Sequence, residues 1–201
     1  FARLFDAVTD PLIGWVSDHT NTRIGRRRPW IIGASIPLAF AFYFLFTPPV
    51  VADPAQSQGY LLFYMLTCYI LVYFIWTIGA VPYYSLGAEL TDDYHERVKV
   101  IAVREMCALI GLLMATIIPA YLIYKFGGLE GYSLMGGILG AGAALFLLIS
   151  GLVSRERTEF SGREFMSPYV GWITTFRNEH FRRLLVAFFC SAVAGAIPAT
   201  L

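Results

Sequence analysis

Phe1-Ala2-Arg3-Leu4-Phe5-Asp6-Ala7-Val8-Thr9-Asp10-Pro11-Leu12-Ile13-Gly14-Trp15-Val16 is apolar enough for lipid, yet it carries Arg3, Asp6 and Asp10. At about 100° per residue these three fall within an arc of about 60°, so they share one face of a helix. A charge at bilayer depth costs at least ~2.5–3.5 kcal/mol, so such a face turns toward a cavity or a partner and marks an ion or solute path. Arg3 offsets one carboxylate and leaves the trio with a net charge of −1. A buried site in that state calls for a monovalent cation: Na⁺, Li⁺ or H⁺. Directly after it comes Asp18-His19-Thr20-Asn21-Thr22-Arg23-Ile24-Gly25-Arg26-Arg27-Arg28-Pro29, a short basic loop before the next apolar run. An acidic membrane face followed by a basic loop points to a transporter.

Composition supports a membrane protein independently. Hydrophobic residues make up 57% and charged residues 14%, with a mean hydropathy of +0.62; soluble domains carry about 25% charge. A net charge of +1 gives no global field for nucleic acid. Cys68, Cys107 and Cys190 sit inside apolar runs without metal or redox spacing and read as small buried hydrophobes. The chain begins and ends within apolar runs, as a piece of something longer would.

Membrane-length segments follow at residues 1–16, 30–47, 60–83, 100–124, 132–153 and 184–201, each close to the ~20 residues a bilayer requires. Pro48-Pro49 stops the second. Pro37 and Pro119 lie within spans and read as packing kinks. Gly136-x-x-x-Gly140 lets another helix approach closely. Loops 17–29, 86–99 and 154–183 hold the arginines and lysines, whereas 48–59 has none and 125–131 has only Lys125. The positive loops are therefore cytoplasmic. Within 154–183, Ser167-Pro168 followed by Tyr169, Trp172, Ile173 and Phe176 predicts a short amphipathic helix under the membrane.

The pattern Arg3-x-x-Asp6-x-x-x-Asp10-Pro11-x-x-Gly14, then Asp18 and Thr22-Arg23-x-Gly25-Arg26-Arg27-Arg28-Pro29-Trp30, resembles one transporter group. That group is the glycoside–pentoside–hexuronide:cation symporters, the melibiose-permease branch of the major facilitator superfamily, in its helix 2 and loop 2–3. Pro82-Tyr83-Tyr84-Ser85-Leu86, then Asp92, Glu96-Arg97 and Arg104, resembles the same family's passage from helix 4 to helix 5. The resemblance implies an all-α membrane protein, a partial major-facilitator bundle lacking helix 1. Residues 1–153 would be helices 2–6 of the N-terminal half, 154–183 the cytoplasmic middle loop, and 184–201 the start of helix 7.

Carried over position by position, the resemblance implies a cation site at Asp6 and Asp10, with Thr9 and Thr77 at its other two places. Sodium-coupled melibiose carriers have an amide where Thr9 stands, so Na⁺ and H⁺ both stay open as the coupling ion. The solute site falls on Tyr84, Arg104 and Ala80. Ala80 stands where those carriers have an acid that holds the galactosyl group, and Tyr84 replaces a tryptophan; both departures argue against melibiose itself. Tyr84 offers an aromatic face for a sugar ring, and Arg104 a fork of donors for hydroxyls or a carboxylate. Arg104 with Glu105 also reads as a simple interfacial pair.

The basic cluster Arg23, Arg26, Arg27 and Arg28 is expected to answer Asp18, since an acid at a helix C-terminus is unfavourable without a cation. With Arg3 this set would form a charge network and gate at the cytoplasmic side. The implied activity is cation-coupled sugar or glycoside symport by alternating access, in a monomer of the plasma (inner) membrane. It uses no cofactor beyond the coupling ion, no metal beyond Na⁺ at Asp6 and Asp10, and no partner beyond solute and bilayer. A carrier of a lipid-like or other organic solute is the alternative. An enzyme is disfavoured because the acids have no His or Cys nearby and no HExxH or GxSxG occurs. A channel is disfavoured because no pore repeat occurs.

Overall fold

The computed structural model describes the backbone of residues 2–49, 54–90, 93–154, 156, 174, 177–187 and 190, without the side chains of 2–8, 54–57 and 88. Among the described residues up to 154, five helices run in order: α1 (Ala2–His19), α2 (Arg28–Phe46), α3 (Pro54–Glu89), α4 (Tyr94–Phe126) and α5 (Gly128–Val153). No strand occurs among the described residues. Four of these are long and apolar enough to cross a membrane: Arg28–Phe46, Gln58–Gly87, Tyr94–Phe126 and Gly128–Val153. The fifth, α1, is the one that carries Arg3, Asp6, Asp10 and Asp18.

Local chemistry sets the helix ends. At the end of α1, Thr20 donates to the Val16 carbonyl at 2.9 Å and His19 Nδ1 lies 2.7 Å from the Trp15 carbonyl. Thr20 thereby serves a carbonyl of the last turn, which has no partner further along the helix. Pro29 stands in the first turn of α2, where its missing N–H costs nothing, and Pro48-Pro49 follows its end. Tyr64 of α3 donates its hydroxyl to the Phe44 carbonyl at 2.7 Å, covering that end. The Asp93 side chain caps α4 by accepting from the His95 N–H at 2.9 Å. Gly127, at φ +65°, closes α4 in the left-handed region.

Two boundaries differ from the sequence reading. The 86–99 segment is not a loop: α3 runs to Glu89 and α4 starts at Tyr94. Arg97 and Lys99 marked a loop in the sequence, but they occupy the first turns of a 33-residue helix that is longer than a bilayer needs. The 125–131 connection likewise shrinks to the turn at Gly127.

Helix α2 is the hub. Ile31 and Leu38 are fully enclosed, with Ala34, Ser35 and Ala41 also buried. Ala34, Leu38 and Ala41 pack with Val72 and Ile75 of α3 as the core. On its other side α2 meets α5 at glycine distance. A Cβ on Gly140 would lie 2.9 Å from the Ala39 carbonyl oxygen, and one on Gly136 2.8 Å from Phe46 Cβ. The expected close approach at this pair of glycines is thus made by α2. Gly79 of α3 fits between Ala34 and Leu147, joining three helices.

Cys68 is buried, as expected, but Cys107 and Cys190 are exposed. Cys107 lies on α4, whose Leu109, Ile110, Leu112, Leu113 and Ile117 are also exposed. Its apolarity suits hydrocarbon contact rather than burial in this core. The chain divides into two units, residues 1–163 and 164–201. In the second, helical backbone covers 179–187, with Arg183 paired to Glu179 at 2.6 Å. The amphipathic segment expected at 167–176 lies outside the described residues, apart from helical Thr174.

Candidate functional site

One end of the first unit gathers three helix C-termini and one N-terminus around the arginine loop. Asp18 ends α1 and Glu89 ends α3. Arg27 reaches both: its Nε donates to Asp18 Oδ1 at 2.7 Å and its NH2 stands 2.6 Å from the same oxygen. Its NH1 lies 2.9 Å from Glu89 Oε2, an ion contact without the alignment of a hydrogen bond. Arg26 donates through NH2 to both Glu89 oxygens at 3.2 Å, and its Nε is 3.7 Å from Asp18. Arg27 is only 6% exposed, so these ion pairs sit in surroundings that screen them poorly.

Glu156, just beyond α5, completes the cluster. Its carboxylate accepts from the backbone N–H groups of Arg26, Arg27 and Arg28 at 2.7, 2.7 and 2.9 Å. These are the orphan donors at the start of α2, where the helix dipole also favours an anion. Arg28 returns the tie, donating from Nε to the Gly151 carbonyl at 2.8 Å and from NH2 to the Leu152 carbonyl at 2.7 Å. Trp30 Nε1 donates to Thr20 Oγ1 at 2.9 Å, pinning the loop's other arm. Two acids, Asp18 and Glu89, thus face two guanidiniums, Arg26 and Arg27, while Glu156 takes backbone N–H groups and Arg28 takes backbone carbonyls.

The expected answer to Asp18 is made by Arg27 and Arg26. Arg23 is exposed and stands outside this cluster. The sequence reading did not single out Glu89 or Glu156. Glu89 is the last residue of an apolar run, and Glu156 is hidden between two arginines about 130 positions from its partners. The available signal was Gly25 beside a helix start that lacks an acid of its own. Gly25 has φ +131°, and a Cβ there would stand 2.8 Å from the Glu156 carboxyl carbon. A glycine is required on both counts.

These contacts also fix helix direction: α1, α3 and α5 end where α2 begins. Parallel α1 and α3 touch where Gly14 faces Val81, whose Cγ1 would lie 3.7 Å from an added Cβ. One turn back along each helix brings Asp10 and Thr77 to a common level. Thr77 is 4% exposed and donates its hydroxyl to the Tyr73 carbonyl at 3.0 Å, leaving oxygen lone pairs free to face a cation. Asp10 is exposed and Thr9 half-buried. Asp10 shares its arc of α1 with buried Ile13 and Ser17 and with Gly14, the side that meets α3. Asp6 falls on the same arc, and its side chain and that of Arg3 lie outside the described residues.

Further along α3, Ala80 is buried and Tyr84 is exposed. The Arg104 guanidinium carbon stands 5.2 Å from the centre of the Tyr84 ring, within cation–π range. Arg104 also pairs with Glu105 at 2.7 Å. The two residues expected to meet a solute are therefore brought together, and the simple Arg104–Glu105 pair exists as well. Among the described residues no group of His, Cys, Asp and Glu is arranged to hold a metal ion through three or more ligands.

The chain matches, along residues 1–201, the family described as MFS/sugar transport protein. The inner membrane symporter YicJ of Escherichia coli is 26% identical over 79% of this chain and 34% of its own length. YagG of the same organism, provisionally named a glycoside/cation symporter, is 31% identical over 79% of this chain and 34% of its own. The mouse sodium-dependent lysophosphatidylcholine symporter 1 is 35% identical over 60% of this chain and 23% of its own. The chain spans about a third of the length of the two Escherichia coli relatives it matches.

Proposed function

The chain belongs to the MFS/sugar transport family of the major facilitator superfamily, a family of carriers and not enzymes, and is a multi-pass inner-membrane protein. From that membership we propose that the complete protein is a secondary active symporter that couples a sugar or glycoside to Na⁺ or H⁺ by alternating access. The observation that carries the reading is the level shared by Asp10 of α1 and buried Thr77 of α3, one turn above the Gly14–Val81 contact.

Asp6, Asp10, Thr9 and Thr77 form the proposed cation site, an oxygen-only set suited to a hard monovalent ion. Tyr84 and Arg104, with Ala80 one turn before Tyr84, form the proposed solute wall. The part-buried ion pairs of Asp18 and Glu89 with Arg26 and Arg27 form this half's side of the proposed cytoplasmic gate. In the outward-open state the same cluster would hold the two halves of the protein together on that side. Arg23 stays at the mouth as a topology-setting charge. The carrier works as a monomer.

A second reading, a lipid-like solute, draws on the similarity to the lysophosphatidylcholine symporter and on the apolar Ala80 in the wall. Uptake of radiolabelled glycosides and of lysolipids by the complete protein, at several Na⁺ concentrations and pH values, tests both readings. Sugar uptake that rises with Na⁺ or with acid outside supports the first. Lysolipid uptake without sugar uptake establishes the second, and neither substrate moving under any ion gradient removes both.

A further inference from the structure

Glu156 holds backbone, not a side chain, and the backbone it holds carries the two arginines of the proposed gate. Its carboxylate spans three successive N–H groups, those of Arg26, Arg27 and Arg28. Those N–H groups set the direction in which the Arg26 and Arg27 side chains leave the chain toward Asp18 and Glu89. Arg28 locks the opposite polarity, base to the C-terminus of α5, acid to the N-terminus of α2. Each tie therefore runs with the helix dipole it meets. Antiparallel α2 and α5, packed at Gly136, Gly140 and Gly151, already form one body, so Glu156 extends that body to include the loop.

We propose that Glu156 is a positioning residue for transport, presenting the Arg26–Arg27 pair to Asp18 and Glu89. Glu156 comes three residues after the end of α5, so its carboxylate ties that end of the helix to the arginine loop at the start of α2. Losing the Glu156 carboxylate removes three charge-assisted hydrogen bonds from the loop and frees the arginines to leave their acids. Gly25 belongs to the same device: its φ of +131° and the 2.8 Å approach of the Glu156 carboxyl admit no side chain. The inference rests on the gate reading above.

The test uses the complete carrier in a cysteine-free background, with Ser17→Cys as reporter. Ser17 is 1% exposed, one residue before Asp18 on the packed side of α1. Inside-out vesicles are treated with a membrane-impermeant maleimide. Glu156→Gln and Glu156→Ala should insert normally and label about tenfold faster than wild type, the equivalent of one charge-assisted bond lost. Gly25→Ala should label faster too. In uptake, maximal rate should fall while KM stays within about twofold, because the solute site is untouched. Should Glu156→Ala fail to insert, Glu156→Gln, of the same shape, carries the test. Wild-type labelling and uptake in Glu156→Gln, with fast labelling in Asp18→Asn, would overturn this inference and leave the gate standing. Slow labelling in Asp18→Asn as well would remove the gate and this inference together.

Discussion

Two nitrogens of Arg27 converge on one oxygen of Asp18, Nε at 2.7 Å and NH2 at 2.6 Å. The same guanidinium turns its third nitrogen to Glu89. A single side chain, nearly enclosed, thereby joins the C-termini of two helices that would otherwise bring two negative ends together. The pair spans only nine positions in sequence, and the loop between them is short enough to hold it under all but large movements.

Asp18→Asn should leave insertion and orientation intact, because the arginines that set topology remain. It should lower the stability of the closed end by roughly 1.5–3 kcal/mol, the range for a hydrogen bond to a charged group. Net uptake in proteoliposomes should fall severalfold. Uptake at the wild-type rate would separate this ion pair from the transport cycle.

Arg27 and Glu89 should couple in a double-mutant cycle. Arg26 also holds Glu89, so Glu89→Gln in an Arg27→Gln background should cost less than the two single losses added. The measurement is the thermal midpoint of the purified carrier. Strict additivity would mean that the 2.9 Å contact contributes nothing.

Gly140 and Gly142 make a matched pair on α5. A methyl on Gly140 would meet the Ala39 carbonyl oxygen and Phe42 Cβ at 2.9 Å, whereas Gly142 has nothing within 4 Å. Gly140→Ala should therefore destabilise by roughly 1–3 kcal/mol through overpacking against backbone. Gly142→Ala should be neutral or stabilise by up to about 1 kcal/mol through helix propensity. Thermal unfolding of both variants checks the sign of each.

Tyr84→Leu removes the ring under the Arg104 guanidinium and the surface offered to a solute. KM for the transported solute should rise roughly 2–10-fold, the loss of an aromatic contact of about 0.5–1.5 kcal/mol. Tyr84→Phe should recover most of it. An unchanged KM in the leucine variant would take Tyr84 out of the solute wall.

Much of this arrangement was readable from residue order. The acid face of α1 showed itself because charges at helical spacing in an apolar run have few other meanings, and Pro48-Pro49 announced the end of α2. The loop at 86–99 was misread because Arg97 and Lys99 resemble loop residues, while the helix simply outruns the bilayer with Asp93 as its cap. Glu89 and Glu156 were not readable. Their partners lie 63 and about 130 positions away, and local spacing carries no information about which distant termini share an end of a bundle. Cys107 was misplaced for a related reason: apolar neighbours do not distinguish a core from lipid.

The acidic pair provides the sharpest trial of the mechanism. Asp6 and Asp10 are four positions apart on α1, a spacing at which two carboxylates would repel each other and a cation entering between them would relieve the repulsion. Thr77, level with Asp10 across the α1–α3 contact, would be drawn in as the ion is enclosed, and Tyr84 lies two turns further along the same helix. Ion binding could thus tighten the solute wall, and by reciprocity solute must tighten the ion by the same factor. One positive charge crossing 100 mV releases ~2.3 kcal/mol, enough for roughly 50-fold accumulation at one ion per solute. Asp10→Asn should abolish uphill uptake while permitting downhill exchange, and Asp6→Asn should weaken ion affinity or change ion choice. The measurement is solute accumulation in energised vesicles, with and without Na⁺ and with and without a pH gradient. Wild-type accumulation in both variants would make the acids structural and end the symport mechanism, because no other carboxylates among the described residues share the level of Thr77 on α1.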